Sequence, residues 1–181
     1  MQTKADIRVE LRDRVAAMSF EDRAAESRRL CERLLQDPTV TSALSFGVYL
    51  PLQDEPDLRP AIQEFLNKGL TVALPFLTED DIWGFYEITT LEADTTGPWN
   101  LGFPPRGRDI PAKELDVILV PGRGFTPNGD RIGRGKGIYD RLLADTPAQK
   151  IGVAFSCQIV EELPRDEHDI QMDDVVRSSR S

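Results

Sequence analysis

Residues 117–155 read VILVPGRGFTPNGDRIGRGKGIYDRLLADTPAQKIGVAF. The stretch opens on four consecutive apolar residues, Val117-Ile118-Leu119-Val120, the pattern of a strand buried on both faces. A glycine-rich segment follows, then a predicted helix near 137–144, then the apolar strand Ile151-Gly152-Val153-Ala154-Phe155. Strand, helix and strand in that order make a βαβ unit, and such units imply a mostly parallel sheet flanked by helices.

The pattern continues toward the N-terminus. Trp83 to Ile88 reads as a short alternating strand, and Leu70-Thr71-Val72-Ala73-Leu74 as another, halted by Pro75. Residues 58–68 predict a helix with Ile62, Phe65 and Leu66 inward and Gly69 as its C-terminal stop. Leu44 to Leu50 reads as a strand that stops at Pro51. Two helices come before it. Residues 4–17 place Ile7, Leu11 and Val15 at four-residue spacing. A second helix starts at Ser19, where Asp22 resembles the far half of a capping box, and runs to about Leu35, ended by Pro38. Residues 92–111, rich in Pro and Gly, read as a loop. The expected fold is α/β: one domain over 1–181, with a mostly parallel central sheet between helices. Ligands of such sheets bind beyond the carboxyl ends of the strands, here the loops after Leu50, Leu74, Val120 and Phe155.

Composition narrows the function. The net charge of −9 argues against a broad nucleic-acid surface, which needs a basic patch. No apolar run approaches the ~18 residues of a membrane helix. The N-terminal MQTKADIRVELRDR lacks the apolar core of a secretory signal, so a cytoplasmic location is expected. Cys31 and Cys157 are the only cysteines, and without a CxxC they read as small buried hydrophobes. His168 is the single histidine, which excludes a multi-histidine metal site.

The chemistry concentrates in Pro121 to Asp140, which holds six glycines between a buried strand and a helix. Glycines there allow left-handed backbone angles and close approach to a ligand. Their N–H groups, with a helix N-terminus, can cradle a phosphate. Arg131, Arg134 and Lys136 add the cations that phosphate oxygens attract. A Walker loop would need glycine at 130 and Ser or Thr at 137, where Asp130 and Gly137 stand. The dinucleotide fingerprint would need a third glycine at Ile138. Composition alone leaves a solvated flexible turn as the competing reading.

The string Arg131-Ile-Gly-Arg-Gly-Lys-Gly-Ile-Tyr-Asp140 resembles the nucleotide-binding signature of the 5-formyltetrahydrofolate cyclo-ligase family. Val117 to Phe125 is similar to the strand and Pro-Gly turn that precede that signature. Lys4 and Arg8 match a basic pair on the family's first helix, and Leu50 to Glu55 the segment with its substrate-binding glutamate. Gln158 and Asp169 fall in its C-terminal pattern, so the resemblance covers nearly the whole chain in order. Two positions depart from it. Ile138 stands where the first of two aromatics is usual, and Gly102-Phe103-Pro104 lacks the acid many relatives place before the proline.

The resemblance implies ATP-dependent conversion of 5-formyltetrahydrofolate to 5,10-methenyltetrahydrofolate, with ADP and phosphate released. The formyl oxygen would be phosphorylated and N10 would then attack. It implies that Lys4, Arg8 and Arg131, Ile132, Gly133, Arg134, Gly135, Lys136, Gly137, Ile138 and Tyr139 bind ATP, with Arg134 and Lys136 catalytic. It implies that Leu50, Glu55, Arg134 and Ile138 contact the folate and that Asp140 and Asp169 hold Mg²⁺. A monomer is expected, although the sequence itself does not give the oligomeric state. Read without the family, Lys4 and Arg8 make a solvated helix face, Asp140 and Asp169 are caps or surface charges, and Glu55 is a loop acid beside Pro56. Trp99 reads as a stacking partner for a ligand or as a loop anchor. The alternatives for the whole chain are a related ATP-dependent enzyme with another substrate, and a non-catalytic nucleotide- or folate-binding protein.

Overall fold

A computed structural model describes residues 2–77, 82–93 and 102–178. In chain order its elements are α1 (Lys4–Ala16), α2 (Phe20–Gln36), α3 (Pro38–Ser42), β1 (Ser45–Gly47), α4 (Arg59–Asn67), β2 (Thr71–Leu77), β3 (Trp83–Ile88) and β4 (Asp109–Ile110). They continue with β5 (Val117–Val120), β6 (Gly124–Phe125), β7 (Arg131–Ile132), α5 (Ile138–Leu143), β8 (Gln149–Ala154) and β9 (Asp174–Arg177). Seven strands form one sheet in the order β4-β3-β2-β1-β5-β8-β9. Neighbours from β2 through to β9 pair parallel, and β3 alone runs against the rest. The mostly parallel α/β sheet is therefore present. No helix among the described residues is long and apolar enough to cross a membrane.

Strand β5 shows why the sheet lies at the centre. All four of its residues are buried. Val117 and Leu119 join the apolar cluster under α2 and α4, while Ile118 and Val120 join the opposite cluster with Phe125 and Leu142. A strand alternates its side chains between faces, so an unbroken apolar run requires cover on both. On the α2–α4 face, Phe46 of β1 stacks on Phe65 of α4 with ring centroids 4.1 Å apart. Helix α1 carries Val15 into the same cluster. It carries Leu11 onto Gly124 of β6, where a Cβ would collide with the Leu11 methyl. That contact sets α1, with Lys4 and Arg8, beside the glycine-rich segment. The carboxylate of Glu26 on α2 closes the far end. It accepts from Ser156 N at 2.8 Å, Ser156 Oγ at 2.7 Å and Ser178 Oγ at 2.5 Å.

Several expectations need correction. Strand β2 runs on through Pro75 instead of stopping there. Ala73 O accepts from Val48 N, so Ala73, and Pro75 two residues on, turn their backbone groups toward β1. The β1 pairing ends at Ala73, so the missing N–H of Pro75 faces no partner strand. Strand β1 is three residues long, not seven, and Leu44 is exposed. Pro38 ends α2 and also begins α3, capped by Asp37, whose carboxylate accepts from Thr39 N and Val40 N. Ser19 accepts from Asp22 N without the reciprocal bond, whereas Thr3 and Asp6 at the start of α1 make a full capping box. Asp109–Ile110 pairs with β3 inside the stretch read as a loop. The β6–β7 hairpin and β9 are additional. Helix α4 ends at Gly69 as expected, with Gly69 N donating to Leu66 O.

Candidate active site

The strand ends converge on a cleft of about 580 Å³. The loop after β1 contributes Leu50 and Glu55, and the turn after β5 contributes Pro121 and Gly122. The glycine-rich loop supplies residues 131–140, helix α1 supplies Lys4 and Arg8, and the β8–β9 connection supplies Asp166 and Asp169. Every residue singled out above for ATP, folate or metal thus lines one cavity, from segments at opposite ends of the chain. Trp99 lies outside the described residues.

The glycine-rich loop takes its shape from two left-handed residues. Gly135 (φ 97°) and Gly137 (φ 62°) adopt angles that cost a side chain roughly 1–2 kcal/mol. Between them Lys136 stands exposed on the cleft, its ammonium without an ion pair among the described residues. Its backbone oxygen accepts from Arg141 Nη2 at 3.1 Å. Gly137 caps α5, a helix of only six residues.

The other cations are already engaged. Arg134 donates to Glu55 Oε1 through Nη2 at 3.0 Å and Nε at 3.2 Å, and to Asp54 through Nη2. Lys4 bridges Asp166 Oδ2 at 2.7 Å and Asp169. Arg8 Nε donates to Gly133 O at 2.9 Å, and its Nη groups have no hydrogen-bond partner among the described residues. Arg131 is almost fully buried, with Nη1 on Pro121 O at 3.2 Å and Nη2 on Asp140 at 3.1 Å. Arg131 therefore braces the β5 turn against α5, and its buried Nε has no partner among the described residues.

Burial and pairing also set the acids. Burial pushes the Asp54 carboxyl up, but hydrogen bonds from Arg134 and Arg123 outweigh it and hold it below its ordinary value. Asp169 behaves alike. Burial raises it, while the Asp166 N–H and Lys4 lower it further, with Arg131 as a more distant cation. Glu55 is buried, with its second oxygen accepting from Leu52 N at 3.0 Å. Two phenols flank it. Tyr49 and Tyr139 are both raised by burial and by the Glu55 charge, so both stay neutral hydroxyls. Away from the loop the wall is apolar: Leu74, Trp83, Tyr86 and Phe103 face the same space, and Ile138 joins them from the start of α5. One end of the cleft thus suits polyanionic phosphates and the other a flat ring system, with Glu55 and Arg134 at the seam.

Sequence reasoning missed Asp54, Arg123, Asp166, Tyr49 and the apolar wall. The acid pair Asp54-Glu55 and the Asp166/Asp169 spacing were visible signals. The β2–β3 residues read only as strand.

Comparison with known proteins places these features in context. Residues 1–178 match the model of the 5-formyltetrahydrofolate cyclo-ligase family. The chain is 28% identical over 187 residues to 5-formyltetrahydrofolate cyclo-ligase of Mus musculus, covering 96% of this chain and 92% of the relative. It is 35% identical over 144 residues to that of Mycolicibacterium smegmatis, covering 73% and 72%. The NMR structure of Aquifex aeolicus 5,10-methenyltetrahydrofolate synthetase superposes with a TM-score of 0.85 at 31% identity, covering 99% of this chain and 91% of that one.

Proposed function

The chain belongs to the 5-formyltetrahydrofolate cyclo-ligase family, and from that membership we propose how its cleft converts 5-formyltetrahydrofolate and ATP into 5,10-methenyltetrahydrofolate. An amide-like formyl oxygen is a poor leaving group. Transfer of the ATP γ-phosphoryl to that oxygen makes a phosphate the leaving group, and N10 then closes the ring as inorganic phosphate departs. The protein's work is to align the two substrates and stabilise charge on the transferring oxygens.

The observation that carries these roles is the Glu55–Arg134 contact at the seam of the cleft. The pair stands between the apolar end and the cationic end, which supports a meeting of formyl oxygen and γ-phosphate at this contact. Glu55 holds donor groups of the pterin, with Leu50 and Ile138 against its ring. Arg134 and Lys136 stabilise the phosphoryl group in transfer. Lys4, the Nη groups of Arg8 and the backbone from Ile132 to Gly137 hold the phosphate chain, with Tyr139 below it. Arg131 supports them from beneath.

The residues fit Mg²⁺ as well. Asp140 and Asp169 are hard oxygen donors near the same guanidinium, Arg131. Among the described residues no group of three or more His, Cys, Asp or Glu is placed to hold a metal alone. Mg²⁺ needs no such cage, because it takes one or two carboxylates and completes its shell with phosphate oxygens and water. When bound there it would neutralise and orient the ATP phosphates. We place this activity in a single-domain monomer of the cytoplasm, with no nucleic-acid or membrane partner.

Protein mixed with Mg-ATP and 5-formyltetrahydrofolate should raise the long-wavelength ultraviolet absorbance of the methenyl product, with one ADP per product. A folded protein that gives neither product nor ADP under saturating substrates refutes the reading.

A further inference from the structure

Asp54 precedes Glu55 in the loop after β1, and its carboxylate joins two guanidinium groups from separate segments. One oxygen accepts from Arg123 Nη1 and the other from Arg134 Nη2. Neither Asp54 nor Arg123 lines the cleft, whereas Glu55 and Arg134 do. The clamp therefore grips Arg134 from outside the substrate space.

Its two arms differ in rigidity. Arg123 is held at the backbone on both sides. Its N–H donates to Ile132 O at 2.7 Å, and its carbonyl accepts from Gln158 Nε2 at 3.2 Å. Gln158 is itself buried and anchors its amide on the backbone, donating also to Gly122 O at 2.9 Å and accepting from Phe155 N at 2.9 Å. The Arg123 side chain is only 16% exposed. Arg134 is the opposite case. It stands between Gly133 and Gly135 on an exposed loop, where its long side chain would otherwise sample many rotamers. Two acids and two guanidinium groups make a balanced set. Without the Asp54 charge, Arg123 would lose the carboxylate it pairs with, and Arg134 would keep Glu55 but lose its tie to the fixed arm.

We propose that Asp54 is a positioning residue, which uses the fixed Arg123 to hold the Arg134 guanidinium where the phosphoryl group passes from ATP to the formyl oxygen. The inference rests on Arg134 being the group that stabilises that transfer. An ordinary surface ion pair would add a little stability and nothing to turnover. A positioning pair acts on kcat, because displacing a catalytic group by about 1 Å costs of order 10²-fold.

The test is a double-mutant cycle on the full chain with Asp54→Asn, Arg134→Ala and the double variant, reading kcat, the KM for ATP and the apo melting temperature. Asp54→Asn should lower kcat by about 10- to 100-fold while the KM for ATP moves by less than about threefold. In the Arg134→Ala background the same change should cost no more than about twofold. Losses that multiply, or an unchanged kcat in Asp54→Asn, overturn the proposal. So does a fall in melting temperature with kcat intact. Arg123→Met approaches the clamp from the side away from the cleft and guards against local misfolding of the first variant. Its loss should also vanish without Arg134, and full additivity there overturns the proposal too. If Arg134→Ala alone keeps normal turnover, the role given to Arg134 fails, and that outcome is distinct from multiplying losses.

Discussion

Replacing Glu55 by Gln tests the seam of the cleft most directly. The carboxylate uses one oxygen on Arg134, in two bonds, and the other on Leu52 N. A glutamine offers one oxygen and one NH₂. Whichever way the amide turns, its NH₂ faces a donor, either the guanidinium or the Leu52 N–H. Glu55 is buried although it lines the cleft, so water replaces the lost acceptor only in part. A buried group left unsatisfied costs about 1–3 kcal/mol. A chain of this size loses about 2–4 °C per kcal/mol, which predicts a fall of about 2–12 °C in apo melting temperature. The KM for 5-formyltetrahydrofolate should rise more than that for ATP, because Asp54 still holds Arg134. Differential scanning fluorimetry with steady-state kinetics of both substrates measures all three quantities. A melting temperature within 1 °C of the parent, or equal rises in both KM values, would refute this account of Glu55.

Other outcomes follow from the same geometry. Lys136→Ala should lower single-turnover ADP formation by about 10²–10³-fold, as loss of one preorganised donor does, with the apo melting temperature unchanged because the ammonium has no ion pair to lose among the described residues. Ile138→Tyr adds an aromatic ring to the wall shared with Trp83, Tyr86 and Phe103, and should lower the KM for the folate; an unchanged or higher value means that the wall binds differently. Asp54 and Asp169 are both held below the ordinary carboxylate range by their cationic and N–H partners, so their contribution to stability is present above that range and disappears as pH falls through their folded pKa values. The apo melting temperature should be level from pH 7 to about 5 and drop below about pH 4, with a shallower drop in Asp54→Asn. A drop of equal depth in that variant removes Asp54 from the acid limb.

The long elements were legible because their periodicity is strong. Leu30, Cys31 and Leu34 mark the buried face of α2, and the unbroken run of β5 declared cover on both sides. Short elements carry too few residues to show a period. The hairpin strands Gly124–Phe125 and Arg131–Ile132 are two residues each, and β9 offers only Val175 and Val176 between charges. Pro75 misled for a local reason, since its neutrality depends on where β1 ends. At the site, residue type announced charge without announcing partners. Arg131 and Arg134 look equivalent in the string and both line the cleft, yet one is braced against Pro121 and Asp140 while the other pairs with Asp54 and Glu55. The Asp54 bridge joins residues 69 and 80 positions apart, a separation no local pattern reveals.

Lys4 reaches Asp166 and Asp169 across 162 and 165 positions of chain. Loops of that length close late, after the shorter βα units have secured their own contacts. In refolding from denaturant, the far-ultraviolet circular dichroism of the sheet and helices should therefore recover before affinity for ATP does. Between those two events the molecule would be a shaped but incompetent intermediate, waiting for its first helix to dock.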